Sequence, residues 1–343
     1  MKRTEKRILS AVCAAVMTLG LASCGKKNIE SSDVTVTFTT TTTTAATTAA
    51  PAPEPEQTET TTTKKKEKAP EKIENYNQLT GLYDVADEGK GKRPCAVMIN
   101  NIAAALPQYG IYSADIIFEV VAEGGITRLM ALYADESDIP NVCSIRSARY
   151  YYVLLSQSFD AVFLHWGDDP IICRSMFDEL GIDHINGMSN GNIFGRDYDR
   201  MSYMDIEHTG FLNGSLVMNE ISNYGFRSEL KEGYDSIFKF YDEFTKPAGD
   251  KCTKATVTFS DWYYSTFNYS DKTKTYKKLH NGNKHMDQSA NKQLEFTNLL
   301  VLEVPEIKVL YPDYSKIVGF DFKEGSGYLI TAGVKKNIIN YSS

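Results

Sequence analysis

The chain has 343 residues and a net charge of −7, with 42% hydrophobic and 24% charged residues. Its length suits two folded domains beside a targeting segment. The acidic balance argues against a nucleic-acid partner, because phosphate contacts need clustered Lys and Arg, and no stretch beyond the N-terminus is apolar for the roughly 18 residues of a membrane-spanning helix.

The N-terminus has the pattern of a lipoprotein signal peptide, predicted over residues 1–23. Basic residues precede an apolar run over 8–21, and Leu-Ala-Ser stands directly before Cys24. The run is shorter than the roughly 20 residues that span a bilayer, and an uncleaved N-terminal anchor is the alternative. We expect cleavage before Cys24, acylation of its thiol by chains such as palmitate, and an extracytoplasmic protein held by lipid at the outer face of the cytoplasmic membrane.

Residues 24–76 have the composition of a disordered stalk. The stretch 35–63 is about half threonine and contains three prolines, and a Lys64–Lys66 charge run follows it. Such a segment cannot bury enough apolar area to offset its ordering entropy. The stalk is therefore expected to hold the folded part away from the membrane, with the lysines as a solvated charge run or as a contact to anionic lipid or wall polymer.

Residues 77–225 are predicted to form a mixed α/β domain. Short apolar runs indicate buried strands, and a Gly124–Gly125 turn indicates a hairpin between the second and third of them. The predicted strands cover 95–99, 115–121, 128–133 and 161–165, and the predicted helices cover 147–157, from Pro170 to before Gly181, and 213–224. Ser144 or Ser147 is the expected N-cap of the first helix.

Residues 226–343 are predicted to form a smaller, mainly antiparallel β domain. The region is rich in Tyr, Thr, Val and Phe, with frequent Gly and Asn between the runs. The predicted strands cover 255–259, 263–269, 275–279, 298–304 and 317–322. Aromatic side chains such as Tyr269 and Tyr276 are expected to pair across neighbouring strands. The fold class predicted for the whole chain is α+β.

Polar residues gather at predicted strand ends and in the loops that follow them, which is where sheets of mixed α/β proteins place their binding sites. Guanidinium groups in this set suit carboxylate, phosphate or sugar-acid ligands, because they bind such groups with two parallel hydrogen bonds. A structural role is the alternative, with Glu119 paired to Arg128 and the other arginines holding loops. The candidate ligand-binding residues are Asn100, Asn101, Glu119, Glu123, Arg128, Arg146, Ser147, Arg149, Arg196 and Asp197.

His165 and His208 are the candidate acids or bases. His165 ends an apolar strand, where a core histidine is the alternative, and His208 follows Glu207, with which it could form a surface pair. The sequence contains neither a G-x-S-x-G elbow nor an H-E-x-x-H motif, so no nucleophile stands out and no metal or cofactor is predicted.

Four cysteines remain if Cys24 is lipidated and the segment before it is removed. They show no C-x-x-C spacing, which argues against a zinc site. Buried free thiols are the expected state, with a disulfide as the alternative in an oxidising exterior. The four are Cys95, Cys143, Cys173 and Cys252.

A long, ordered series of motifs over residues 77–340 resembles the YerB-like lipoproteins, whose folded part carries the DUF3048 N-terminal and C-terminal domains. The motifs are Leu79-Thr-Gly81, Arg93-Pro94, Ala96 to Asn101, Pro107-Gln108, Gly110, Ala114 to Ile116, Glu119, Glu123 to Arg128, Ile145 to Arg149, His165, Gly167, Arg196-Asp197 and His208. The resemblance implies a membrane-anchored, two-domain surface lipoprotein of Gram-positive bacteria, with no established catalytic residues to carry over.

The chain departs from the family pattern at three places. Cys143-Ser144 stands where the family often has Gly-Pro, and Trp166 and Asp168-Asp169 stand where it often has small residues. These changes would reshape a pocket beside His165. The family also tends to run on through another strand and a lysine–tryptophan ending, so the resemblance implies a shortened final sheet.

Three functions are compatible with these patterns. The first is a binding module for a cell-wall fragment, an anionic glycan or an envelope partner protein. The second is a cell-wall hydrolase or transferase with acid–base chemistry from Glu119, Glu123 and His165 or His208, since two carboxylates flanking a glycosidic bond lie about 5–10 Å apart. The third is a structural or assembly lipoprotein without a small ligand.

Overall fold

The computed structural model describes residues 11–16, 35–40, 75–170, 172–304, 307–309, 318–320 and 324–342. These residues form a sheet-rich mixed fold with three α-helices. Cys24 and most of the predicted stalk lie outside the described residues, so their lipidation and disorder stay predictions.

The first half of the chain contributes most of the helical structure. Its elements are β1 (Ala11–Val16), β2 (Thr35–Thr39), β3 (Cys95–Asn100), β4 (Ile116–Val121), β5 (Thr127–Tyr133), β6 (Val142–Cys143), α1 (Tyr150–Ser158), β7 (Val162–His165), α2 (Cys173–Leu180), β8 (His184–Asn186), β9 (Phe194–Arg196), β10 (Gly210–Leu212) and α3 (Val217–Asn223). Every residue of β3, β4 and β5 is buried, as expected for near-continuous apolar strands that are covered on both faces.

The described part of the second half consists of strands, mostly in antiparallel pairs. They are β11 (Asp250–Lys251), β12 (Lys254–Ser260), β13 (Tyr263–Ser270), β14 (Thr275–His280), β15 (Asn283–Lys284), β16 (Met286–Asp287), β17 (Lys292–Gln293), β18 (Glu295–Phe296), β19 (Asn298–Glu303), β20 (Ile307–Val309), β21 (Val318–Phe320), β22 (Glu324–Thr331) and β23 (Val334–Ser342).

One ten-stranded sheet runs through both predicted domains, in the order β11-β23-β22-β19-β1-β4-β5-β3-β7-β8. The β4–β5 hairpin is antiparallel, as the Gly-Gly turn predicts, and β3, β7 and β8 run parallel to each other. Strand β1 lies parallel to β4 on one side and to β19 on the other. A segment inside the predicted signal peptide thus joins the two halves of the sheet, and the predicted domain boundary at 225 stays a prediction.

A second sheet, β15-β14-β13-β12-β2, ends in part of the predicted stalk. Residues Thr35–Thr39 pair antiparallel with β12, so these five residues are ordered, contrary to the prediction of disorder for the stalk. Their alternation of threonine with Val36 and Phe38 provides β-branched and aromatic side chains, and Phe38 packs edge-on against Tyr328 at 4.9 Å.

The predicted elements are found with shifted ends. Helix α1 begins at Tyr150, and no serine side chain caps it, because residues 145–148 run extended between neighbouring segments. Arg146 N–H donates to the carbonyl of Met98, and Ala148 N–H donates to that of Gly167. Helix α2 begins at Cys173 and ends at Gly181, whose φ of 61° is left-handed. A 3₁₀ turn at Gly214–Leu216 precedes α3.

The expected state of the cysteines in the folded part is confirmed. Cys95, Cys143, Cys173 and Cys252 are buried free thiols, and burial raises the pKa of each. None of the helices in the described residues has the length and hydropathy needed to cross a bilayer.

Candidate functional site

The predicted site residues meet at one edge of the main sheet, named here the carboxyl edge. Strands β3, β7 and β8 end there at Asn100, His165 and Asn186, and β5 begins there opposite β3, with Arg128 in register with Asn100. Their role as ligand-binding residues stays a prediction. They do not line one cavity, however, because they divide into a buried network and two clusters nearer the surface.

The buried network is built around Glu119, which is fully buried in β4. Its carboxylate lies 3.4 Å from the Lys278 ammonium on β14 and accepts hydrogen bonds from Asn101 and Ser265 at 2.8 and 2.9 Å. Tyr263 donates to the same carboxylate. Glu119 therefore pairs with Lys278 rather than Arg128, and its side chain is closed off from solvent.

Burial shifts the titration of this network. Desolvation lowers the pKa of Lys278, although the charge of Glu119 opposes the shift, and desolvation together with Glu119 raises the pKa of Tyr263. Asn101 is held here as well, since its carbonyl accepts a hydrogen bond from the His280 ring at 2.9 Å. Both Glu119 and Asn101 thus connect the two halves of the chain.

Sequence reasoning missed Lys278. Its strand has the polar sequence Thr-Tyr-Lys-Lys-Leu-His, which is typical of an exposed strand, and Lys278 is nevertheless 1% exposed. The available signal was the buried carboxylate of Glu119 on an otherwise apolar strand, which requires a cationic or hydrogen-bonding partner from elsewhere in the chain.

The first surface cluster, named the Glu123 cluster, consists of Glu123, Arg128 and Arg149 and lies beside the Gly124–Gly125 turn. Arg149 donates to both carboxylate oxygens of Glu123, and Arg128 lies 3.7 Å from the same group while donating to the carbonyl of Ser147 at 2.6 Å. Burial by itself raises the pKa of Glu123, but the hydrogen bond and the two guanidinium charges hold its net pKa below the ordinary value. Two cations share the carboxylate of Glu123, and the charge of Asp169 also acts on Arg149.

The second surface cluster, named the Arg196 cluster, lies beyond the ends of β7 and β9. The Arg196 guanidinium lies 4.2 Å above the centre of the Trp166 ring and donates to the carbonyl of Ile206 at 2.7 Å. Arg146 donates to the Glu207 carboxylate at 2.8 Å. Burial, with the neighbouring charge of Arg146, lowers the pKa of Arg196.

Arg196 differs from the other arginines of the edge. Among the described residues, no carboxylate lies within 4 Å of its guanidinium, whereas Arg128, Arg146 and Arg149 each have one. Exposed side chains stand in the loop that follows it, with Tyr198 81% and Tyr203 62% exposed. The cluster therefore presents a positioned cation beside solvent-facing aromatic rings.

Asp197 has a structural role in this loop. Its carboxylate accepts the backbone N–H groups of Asp199 and Arg200 and lies 3.5 Å from the Arg200 guanidinium. These contacts hold the loop that follows Arg196.

His165 occupies the core instead of a surface site. One ring nitrogen donates to or accepts from His184 at 2.9 Å, and the other donates to the carbonyl of Gly167 at 2.7 Å. Burial lowers the pKa of His165 to about 3, so the ring stays neutral at physiological pH. The geometry fits the core-histidine interpretation and not a general base.

His208 lies beside Glu207, as in the alternative interpretation of a pair, but the His208 ring is buried. Its Nδ1 lies 3.1 Å from the side-chain amide of Asn100, and its Nε2 lies 3.6 Å from the Glu207 carboxylate. Asn100 and His208 thus fix the loop that carries Arg196 to the end of β3. Within the described residues, no group of three or more His, Cys, Asp or Glu side chains is arranged to hold a metal ion.

Comparison with known proteins agrees with this architecture. Residues 79–227 match the family model described as the N-terminal domain of a protein of unknown function, DUF3048, and residues 255–339 match its C-terminal domain. The chain belongs to the DUF3048 family. The matches cover both surface clusters and the buried network, so these features lie within the DUF3048 fold.

One relative in this family is the "Putative lipoprotein YerB" of Bacillus subtilis (strain 168), which is 29% identical over 216 residues, 62% of each chain. This chain therefore spans less than two thirds of that relative. Its lipoprotein name is consistent with a membrane-anchored, extracytoplasmic location for the DUF3048 chain. The crystal structure of YerB from Bacillus subtilis matches with a TM-score of 0.63 and 24% identity, covering 76% of this chain and 84% of that one, and supports the fold.

Proposed function

We propose that this DUF3048 chain is a lipid-anchored, extracytoplasmic binding protein for an anionic glycan of the cell wall. The observation that carries the proposal is the Arg196 guanidinium, which is held on Trp166 without a carboxylate partner in the described residues. A fixed guanidinium donates two parallel hydrogen bonds to a carboxylate or phosphate, and exposed Tyr rings beside it provide apolar faces for sugars.

The burial and ion pairing of the candidate carboxylates favour binding over catalysis. Glu119 is fully buried with Lys278, and Glu123 is held as a carboxylate by Arg149 and Arg128. A general acid for glycoside cleavage needs a raised pKa and access to the leaving oxygen. The hydrolase and the ligand-free assembly protein remain the alternatives.

Calorimetric titration with soluble, anionic glycan fragments of purified wall tests the proposal. We expect Arg196→Ala to weaken binding at least tenfold, and added salt to weaken the binding of the unmodified protein, because the contact is between charges. Lys239→Ala is the matched control, since it also removes one exposed cation, from a side chain that pairs with Asp235. Absence of binding, or equal binding by the Arg196 variant, contradicts the proposal.

Two further assays test the hydrolase alternative and the lipid anchor. Clearing of wall substrate in a zymogram would favour the hydrolase. Incorporation of labelled palmitate tests the anchor, and we expect Cys24→Ser to abolish it.

A further inference from the structure

The chain has two tryptophans, and Trp262, unlike the half-buried Trp166, is exposed at the other end of the carboxyl edge. Trp262 is 61% exposed at the turn between β12 and β13. A Cβ placed on Gly125 would lie 3.0 Å from its ring, so the indole packs directly against the Gly-Gly turn. The Glu123 cluster adjoins that turn. The C-terminal half of the chain therefore adds an aromatic side chain to this end of the edge.

The turn that carries Trp262 is held in place by Asn281. The Asn281 side chain donates to the carbonyl of Trp262 at 2.8 Å and accepts the N–H of Tyr264 at 2.9 Å. A large apolar ring kept at the surface by a braced backbone loses little conformational freedom on binding. This is the arrangement of a contact residue rather than of a core residue.

A continuous series of contacts connects Trp262 with the Arg196 cluster. From Gly125 the surface passes to Glu123 and Arg149, and Arg128 of that cluster donates to the carbonyl of Ser147. A Cβ on Gly167 would lie 3.1 Å from the Ser147 hydroxyl, and Trp166 precedes that glycine.

The guanidinium groups of this edge are concentrated in the two clusters, which contain those of Arg128, Arg146, Arg149 and Arg196 beside the carboxylates of Glu123 and Glu207. Acidic residues stand between and beyond the clusters, since Asp168 and Asp169 follow Gly167 and Asp261 precedes Trp262. Anionic groups of a ligand are therefore attracted to the clusters rather than to the whole length of the edge.

We infer that the ligand is a polymer, an anionic glycan chain that lies along the edge from Arg196 to Trp262 and contacts both halves of the protein. The inference rests on the proposed function and adds its substrate class. A sugar ring stacks on the indole of Trp262, while acidic groups further along the chain face the Glu123 and Arg196 clusters. A single anionic sugar reaches only one of these places.

Chain-length dependence tests the inference. Soluble wall glycan is separated into disaccharide and long fragments, and both are titrated at equal sugar concentration. We expect the long fragments to bind at least tenfold more tightly, and we expect Trp262→Ala to remove this advantage while the disaccharide affinity stays within twofold. Tyr241→Ala is the control, since it removes another exposed ring that follows Phe240, which packs on Gly81 away from the edge.

The fluorescence of variants that keep a single tryptophan provides a second readout. It does not depend on shortening the Trp262 side chain to alanine. In Trp166→Phe the emission of Trp262 should change only with long fragments, and in Trp262→Phe the emission of Trp166 should change with both lengths. Poly-glutamate of matched charge is the probe for attraction by charge alone.

The outcomes separate the two proposals. If no fragment of either length binds, the proposed function fails. If both lengths bind equally, if Trp262→Ala leaves the long-fragment affinity unchanged, or if poly-glutamate binds as tightly as the glycan, the proposed function stands and the polymer inference is overturned.

Discussion

At the scale of single residues, the Glu119–Lys278 pair is the interaction whose loss should cost most. Both side chains are fully covered, and removing one partner leaves an uncompensated charge. We expect Lys278→Met to lower the free energy of unfolding by roughly 3–5 kcal/mol in urea denaturation. We expect Lys239→Met, in the exposed pair with Asp235, to cost less than about 1 kcal/mol.

A double variant with Glu119→Gln distinguishes the ion pair from simple packing. If the charges are coupled, the two substitutions together cost less than the sum of their separate effects. A loss below about 1 kcal/mol for Lys278→Met would show that Glu119 is satisfied by its neutral hydrogen-bond donors alone.

Glu136 should make stability depend on pH. It is 1% exposed, and neither carboxylate oxygen has a hydrogen-bond partner among the described residues. Burial, which the charge of Lys92 partly opposes, raises its pKa from 4.5 to about 7. Between these two pH values the folded state binds more protons than the unfolded state, so stability falls as pH rises through this window, by up to about 3 kcal/mol.

Urea denaturation at pH 5 and pH 8 measures this effect. We expect Glu136→Gln to reduce the loss between the two pH values and to stabilise the protein at pH 8. Part of the dependence should remain, since burial also raises the pKa of Asp115 to about 7. An unchanged pH dependence in the Glu136 variant would falsify the assignment.

At the scale of elements, the Gly-Gly turn offers a matched pair of substitutions. Gly124 and Gly125 both have φ of +70°, but a Cβ on Gly124 meets nothing within 4 Å, whereas one on Gly125 would lie 2.9 Å from the Ser260 Cβ. Gly124→Ala should therefore cost only the left-handed backbone penalty of about 1–2 kcal/mol. Gly125→Ala should cost roughly 1–3 kcal/mol more, because Ser260 and Trp262 must move.

Thermal unfolding of the two variants measures the difference, and near-ultraviolet circular dichroism reports on Trp262. Equal stability of the two variants would mean that the contact between the turn and the β12–β13 connection is not made in solution.

Local sequence patterns predicted the positions of strands and helices better than the long-range contacts between them. The strands β3, β4, β5 and β7 follow from near-continuous apolar runs, and the edge position of their polar neighbours follows from strand order. The start of α1 does not follow from local patterns. The backbone amides of Arg146 and Ala148 donate to the carbonyls of Met98 and Gly167, which are distant in sequence, so this segment stays extended and the helix begins after it. Lys278 was missed for the same reason, since Glu119 indicates that a partner is needed but not which distant residue supplies it.

At the scale of the whole molecule, the main sheet depends on a segment that signal cleavage would remove. Strand β1 pairs with β19 along its whole length and with β4 over residues 11–14. Neighbouring strands lie about 4.8 Å apart, so loss of β1 leaves a gap of roughly 10 Å between two rows of backbone groups without partners. The processed chain must hydrate these groups or pair them with another strand.

Hydrogen exchange of the full chain and of residues 24–343 with Cys24→Ser compares the two states. We expect the amides of β4 and β19 that face β1 to exchange on the order of 100-fold faster in the processed chain, because they become open to water. Amides of β13 are the internal control, since both of its neighbours, β12 and β14, are retained. Unchanged protection of β4 and β19 would mean that a different segment takes the place of β1 after processing, and the sheet would then join the two halves without the signal peptide.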